Sequence, residues 1–161
     1  MPSTFEIRPL ESRDRASIAR IVESVGNFSA EEIRVALELV DAWLSQGEAS
    51  EYICDVIEEK QTVRGYVCFG PTPLTEGTFD LYWIAVERSS HGKGYGQALL
   101  EHAEQQAKRR GGRIVLIETA SQNGYAGTIE FYKRAGYGVV SRIPDFYRVG
   151  DDKLTFWKRI H

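Results

Sequence analysis

The stretch from Thr78 to Thr119 limits the fold of this chain more than any other part of it. An apolar run, Thr78 to Val86, leads through His91-Gly92-Lys93-Gly94-Tyr95-Gly96 into a segment where Leu99, Leu100, Ala103 and Ala107 share a helical face. Gly111-Gly112 stops that segment, and Ile114 to Thr119 is a second apolar run, continuous enough for a strand buried on both faces. Strand, helix and strand in that order form a crossover, which makes the two strands parallel members of one sheet. The glycines between the first strand and the helix have a further consequence. Glycine lets backbone approach an anion closely. The first amides of a helix lack partners within it, and the helix dipole is positive there. A pyrophosphate fits that combination.

The remaining elements are arranged around this crossover. Thr4 to Arg8 alternates as a strand does, and Ile18, Ile21, Val22 and Val25 form a helical stripe that stops at Gly26-Asn27. Ser29 with Glu32 makes a capping box for a second helix, whose apolar face is Ile33, Ala36, Leu37, Val40 and Leu44, ending by Gly47. Glu51 to Glu58 and Val63 to Phe69 are strands joined through Glu59-Lys60-Gln61-Thr62 as a hairpin. Pro71 and Pro73 break the chain before the crossover. After it, Gly127 to Ala135 is a shorter helix closed by Gly136, and Tyr137 to Ile143 and Leu154 to Ile160 are the last strands. The order β-α-α-β-β-β-α-β-α-β-β implies an α/β (α+β) fold with a mixed six- to seven-stranded sheet and helices on both faces. Neither a repeat nor a linker interrupts it, so residues 1–161 read as one domain.

Composition removes several classes of function. A net charge of −3, with acidic and basic residues mixed and no basic stripe, argues against nucleic acid as a partner. No apolar run approaches the ~20 residues of a membrane span, and the first residues, Met1-Pro2-Ser3-Thr4-Phe5-Glu6, lack a signal-peptide core, so the cytoplasm is the expected compartment. Cys54 and Cys68 are the only cysteines; they lie in expected strands and are read as buried, reduced thiols. His91, His102 and His161 are too scattered to suggest a metal.

Several ligands compete for the glycine turn. A nucleoside-triphosphate loop needs Gly-x-x-x-x-Gly-Lys-Ser/Thr, but Gly94 follows Lys93 here. A dinucleotide fingerprint starting at Gly92 needs glycine at 97, where Gln97 stands, and it should open a β-α-β-α-β half rather than follow hairpins. A bare turn would not need three closely spaced glycines, each of which costs conformational entropy.

From Phe79 to Tyr137 the chain resembles the GNAT superfamily of acetyltransferases. The family pattern Arg/Gln-x-x-Gly-x-Gly/Ala is matched by the run from His91 to Gly96, with His91 departing at a position that helps hold a phosphate. The family's Phe-Tyr-x-x-x-Gly-Tyr/Phe is matched throughout by Phe131-Tyr132-Lys133-Arg134-Ala135-Gly136-Tyr137. The resemblance implies acetyl-CoA as cosubstrate and no metal. It seats the pyrophosphate on His91, Gly92, Lys93, Gly94, Tyr95, Gly96 and Gln97, pairs the pantetheine arm with the backbone of Ile84, Ala85 and Val86, and gives Lys133 or Lys93 the 3′-phosphate. Asn123, five residues after Glu118, falls where the family bonds the arm. About two more residues than usual separate it from Tyr132, so Tyr125 or Thr128 shares that role.

The resemblance also implies the chemistry. An alkyl ammonium of pKa ~10.4 costs about 4.6 kcal/mol to deprotonate at pH 7, an α-amino group near ~8 only about 1.4, so a lysine-like amine needs a base. Two carboxylates stand at base positions of different family branches: Glu118, ranked first because an acid ending a buried apolar strand is costly without a purpose, and Asp80, through a relaying water. Tyr132 serves as general acid for the departing thiolate, and a backbone amide of Trp83 to Val86 serves the oxyanion. Acetyl transfer to a primary amine then proceeds by direct attack in a ternary complex, since neither cysteine lies near the motif. The segment Ile143-Pro144-Asp145-Phe146-Tyr147-Arg148-Val149-Gly150-Asp151-Asp152-Lys153 is expected as a loop over the acceptor. It resembles that of N-terminal peptide acetyltransferases, with Asp145 and Tyr147 holding a cationic amine. Tyr82, Trp83 and Trp43 are further candidates for the cleft wall. The alternatives are acetylation of protein N-termini and a catalytically silent coenzyme A-binding module; a homodimer through exposed strands is a further expectation.

Overall fold

The computed structural model describes residues 4–122 and 126–161. Its elements are β1 (Phe5–Pro9), α1 (Arg15–Val25), α2 (Ala30–Gln46), β2 (Ile53–Glu59), β3 (Thr62–Pro71), β4 (Thr78–Val86), α3 (Tyr95–Arg109), β5 (Ile114–Ala120), α4 (Ala126–Arg134), β6 (Gly138–Arg148) and β7 (Asp151–Arg159). The strands form one seven-stranded sheet in the order β1-β2-β3-β4-β5-β7-β6. Only β4 and β5 are parallel, as the crossover requires.

The sheet is apolar on both faces. Ile18 and Val22 of α1 and Val40 of α2 pack against Val56, Tyr66 and Ala85 on one face. Leu99 and Leu100 of α3 and Tyr132 of α4 pack against Ile57, Val67 and Ile117 on the other. Cys54 and Cys68 are buried, unoxidised, and opposite one another across β2 and β3. No helix among the described residues is long and apolar enough to cross a membrane.

The capping box forms as expected. Ser29 Oγ accepts the Glu32 N–H at 3.1 Å, and the Glu32 carboxylate accepts the Ser29 N–H at 3.0 Å. Ser29→Ala is expected to cost about 1 kcal/mol, which for a chain of this length lowers Tm by roughly 2–4 °C. An unchanged Tm in thermal unfolding would show that the box does not hold the start of α2. The β2–β3 turn closes without glycine, with Lys60 at φ 52° and Gln61 at φ 63°.

Two expectations need correction. The segment between the last strands is not a loop: β6 continues to Arg148, and the ladder with β7 resumes at Arg148↔Asp151 past an irregularity that begins after Ile143. Pro144 and Asp145 are absorbed in that irregularity, where Asp145 takes φ 54°. Its N–H donates to Asp152 Oδ1 at 2.9 Å, and its carboxylate accepts the Gly150 N–H at 2.8 Å. Nor is β5 buried on both faces: Val115, Ile117 and Thr119 are buried, whereas Leu116, Glu118 and Ala120 are not.

The cause of the second difference lies in β4. Cys68 opposes Trp83 and Phe69 opposes Leu81, so Tyr82 is an extra residue in the ladder. Such a bulge bends and twists its strand. Pairing between β4 and β5 runs from Thr78↔Ile114 to Leu81↔Ile117 and no further, and the strands diverge beyond it.

Candidate active site

The divergence opens a cleft of about 1440 Å³ that reaches from the glycine turn across the sheet to the start of α2. Its β4 wall has a defined hydrogen-bonding pattern. The Glu87 N–H donates to the Arg64 carbonyl at 2.8 Å, which makes Arg64 and Glu87 a hydrogen-bonded pair of the β3–β4 ladder. Pairs alternate along an antiparallel ladder, so Tyr66–Ala85 and Cys68–Trp83 are also bonded, while Ile84 and Val86 turn their N–H and C=O groups away from β3, toward the cleft. Ala85 spends its backbone on β3 and its side chain on the α1/α2 core. The Val86 carbonyl accepts the His91 Nε2–H at 2.8 Å, which ties the glycine turn to the end of the strand.

In that turn Gly92 has φ 82° and Gly94 has φ 86°. A Cβ at either would meet nothing within 4 Å, so the demand is for the left-handed conformation rather than for space. Gly94 caps α3, and the first helical bond runs from the Ala98 N–H to the Gly94 carbonyl. The amides of Tyr95, Gly96 and Gln97 therefore precede any helical partner, and these residues line the cleft. The Tyr95 side chain is buried in the core. Lys93 and Lys133 are exposed and stand outside the lining, which instead includes Arg134. Asn123 and Tyr125 lie outside the described residues.

The bulge decides which side chains meet. Phe79, Leu81, Ile84 and Val86 belong to the α3/α4 face, and Tyr82, Trp83 and Ala85 to the α1/α2 face. Two successive aromatic residues thus share a face, which regular alternation forbids. Asp80 and Glu118 flank residues of the α3/α4 face and so point to the α1/α2 side, while Tyr132 is buried on the α3/α4 side. The gap between β4 and β5 has carboxylates on one side and a phenol on the other, and all three line the cleft.

Their environments differ. Burial lifts the Asp80 carboxyl above its ordinary value, and the charge on Glu118 adds to this, against the Thr72 hydroxyl, which donates to Asp80 Oδ2 at 2.7 Å. Glu118 is 54% exposed and faces Lys153 Nζ at 3.5 Å, so the expected cost of burying it does not arise. Burial alone raises the Tyr132 phenol, which stays protonated well past neutral pH. Tyr82 is raised by burial and by the charge on Asp80. Beside these, Phe28 meets Trp83 edge-on at 5.0 Å, and Tyr147 reaches the lining, its phenol raised by burial and by Glu118, Asp151 and Glu32. Asp145 does not reach the lining, and Trp43 points its indole N–H at the Leu10 carbonyl, 2.9 Å away. Phe28, Glu31, Val35 and Leu39 line the cleft without having been expected. The capping box marked where α2 begins, but nothing in its periodicity showed that its first turns border the cleft. No group of three or more metal-binding side chains occurs among the described residues.

Asp80 yields a prediction with a definite sign. A carboxyl raised by the fold contributes stability that is complete below its unfolded value, near 3.8, and is lost as pH rises through the folded value. Asp80→Asn removes a desolvated charge and is expected to raise Tm at pH 7, with the gain vanishing below pH 3.8. A variant less stable than the parent at pH 7 would contradict this.

The sequence profile of the acetyltransferase (GNAT) family matches residues 18–137. The solved structure of a GNAT-family protein from Desulfovibrio desulfuricans is 41% identical, covers 98% of this chain and 99% of its own, and superposes with a TM-score of 0.92. The Salmonella typhimurium protein yncA, solved with its cofactor acetyl-CoA, is 23% identical, covers 99% and 95% of the two chains, and has a TM-score of 0.76, a likeness of fold. The L-methionine sulfoximine/L-methionine sulfone acetyltransferase of Salmonella typhimurium is 30% identical over 109 residues, 64% of this chain and 60% of that protein. A second curated relative is spanned over 25% of its length.

Proposed function

The chain belongs to the acetyltransferase (GNAT) family, and from that premise we propose that it transfers an acetyl group from acetyl-CoA to a primary amine by direct attack in a ternary complex. The observation that carries this reading is the gap between β4 and β5, with a protonated phenol on one side, carboxylates on the other, and the Ile84 and Val86 backbone edge between them. That edge suits an extended amide chain, which can pair with it as a further strand would. The left-handed glycines and free amides at the start of α3 suit its pyrophosphate. Arg134 is better placed than Lys93 or Lys133 to meet a further phosphate.

In this scheme the amine enters from the α1/α2 side. A carboxylate takes its proton, and burial lifts Asp80 in the direction that suits a base at working pH. The nitrogen lone pair forms the C–N bond, and the carbonyl oxygen gains negative charge beside a β4 amide. The carbonyl re-forms as the C–S bond breaks with its electron pair going to sulfur, and the proton shed by the new amide nitrogen ends on that sulfur, giving the free thiol. Tyr132 meets that sulfur. A phenol of pKa ~10 or more gives its proton fully to a thiolate of ~8.5 only at a cost of about 2 kcal/mol, so its contribution is a hydrogen bond to the leaving thiolate. The aromatic wall of Phe28, Tyr82 and Trp83 suits the body of the acceptor.

The test is transfer of labelled acetyl from acetyl-CoA to a panel of alkyl amines, arylalkyl amines, α-amino acids and peptide N-termini. The amino acids are included because of the sulfoximine-acetylating relative. Turnover with intersecting initial-velocity plots is expected. Parallel plots would remove direct attack, and absence of both acetyl-CoA binding and turnover would remove the reading.

A further inference from the structure

Among the described residues, three buried side-chain polar atoms lack a hydrogen-bond partner: Arg8 Nε, the Tyr66 hydroxyl and Thr119 Oγ1. Arg8 belongs to an ion-pair network with Asp14 and Glu58, and Tyr66 is sealed in the core under α1 and α2. Thr119 alone of the three lines the cleft. It is 7% exposed, and its backbone is opposite Leu154 of β7. A hydroxyl buried without a partner is costly, so an unpaired one in the wall of a cleft marks where a ligand supplies the partner.

We propose that Thr119 binds the cosubstrate, its hydroxyl pairing with an amide of the pantetheine arm; this rests on the acetyl-CoA reading above. An extended amide chain presents N–H and C=O groups along both of its edges. The edge formed by Ile84 and Val86 on β4 serves one side of such a chain. The other side faces β5, where the strands have parted and no ladder is available. Thr119 stands on β5 just past the last residue paired with β4, Ile117, and shares its face with Ile117 and Tyr132 rather than with Glu118. It therefore lies on the thioester side of the gap, away from the amine. A threonine hydroxyl both donates and accepts, so it can serve either group of an amide.

The test is titration calorimetry of the whole chain with coenzyme A and, separately, with adenosine 3′,5′-bisphosphate, which has no arm. Thr119→Val keeps the side-chain shape and removes the hydroxyl. It is expected to raise Kd for coenzyme A about tenfold, to leave Kd for the bisphosphate unchanged, and to leave the ligand-free Tm unchanged or higher. Thr119→Ser should bind coenzyme A as the parent does. Should the valine variant not fold, Thr119→Ala is expected to show the same selective loss. Unchanged coenzyme A binding, or equal weakening of both ligands, would overturn the assignment while leaving the acetyl-CoA reading standing. If the parent chain binds neither coenzyme A nor acetyl-CoA, both fall.

Discussion

Tyr132→Phe is expected to lower kcat by about 10²–10³-fold, the effect of removing one donor to developing negative charge, while leaving KM for acetyl-CoA within about twofold. The substitution keeps the ring where it is. That ring packs against Phe131 at 5.4 Å, Phe156 at 5.6 Å and Tyr137 at 6.0 Å, so phenylalanine retains every apolar contact and the fold survives. What is lost is the hydroxyl, which burial keeps protonated through the working range. The proposed hydrogen bond strengthens as negative charge builds on sulfur, so its loss falls on the transition state more than on bound cosubstrate. Because the phenol does not ionise near neutral pH, the rate's acid limb should persist in the variant, and Asp80→Asn should be what removes it. Normal turnover with a raised KM would reassign Tyr132 to binding, and an unaffected enzyme would leave the ring as core packing alone.

Gly94→Val is expected to weaken acetyl-CoA binding by more than about a hundredfold and to lower Tm by several degrees. A β-branched residue at φ 86° is strained at a cost of about 1–3 kcal/mol. The chain can relieve that strain only by moving the turn, and the turn aims the first amides of α3. Since an added Cβ meets no atom at this position, the effect tests backbone conformation and not crowding. Gly96→Ala is the companion: its Cβ would lie 3.6 Å from Phe131, an ordinary contact, and its backbone needs no left-handed turn. Alanine inside the helix is favoured over glycine by roughly 0.5–1 kcal/mol, so this variant should be slightly more stable than the parent. Tight acetyl-CoA binding by Gly94→Val would show that the anion seat is misplaced.

The site was partly legible in the chain. The glycine turn, Tyr132, Asp80, Glu118, Tyr82, Trp83 and Tyr147 all come to one cleft; short-range signals put the turn, Asp80, Tyr82, Trp83 and Glu118 on the crossover and Tyr132 on the next helix, whereas Tyr147 was expected in a loop and arrives on β6. Asp145, Lys93 and Lys133 share the residue chemistry of a site without reaching the cleft lining. Asp145 looked like a cation holder because an aspartate beside two aromatic residues is chemically able to be one. In the fold its carboxylate closes the β6–β7 turn. Arg134 and Thr119 gave no signal, since a basic residue ending a helix and a threonine ending a strand are ordinary in any sheet protein.

What the amino-acid order determined by itself is what depends on neighbours along the chain: the order of the α-helices and strands, the capped start of α2, the left-handed glycine turn before α3, and the crossover that makes β4 and β5 parallel. The opening of the sheet was decided only by tertiary structure. Whether β4 stays paired with β5 past Leu81 depends on one extra residue in its register with β3, and register is a relation between strands distant in sequence. That single bulge places Tyr82 and Trp83 on one face, exposes Glu118 in place of burying it, and turns the Ile84 and Val86 backbone toward an open gap. The residues carry the chemistry, but side-chain alternation along an isolated strand cannot say on which side of a break in the sheet each one will stand.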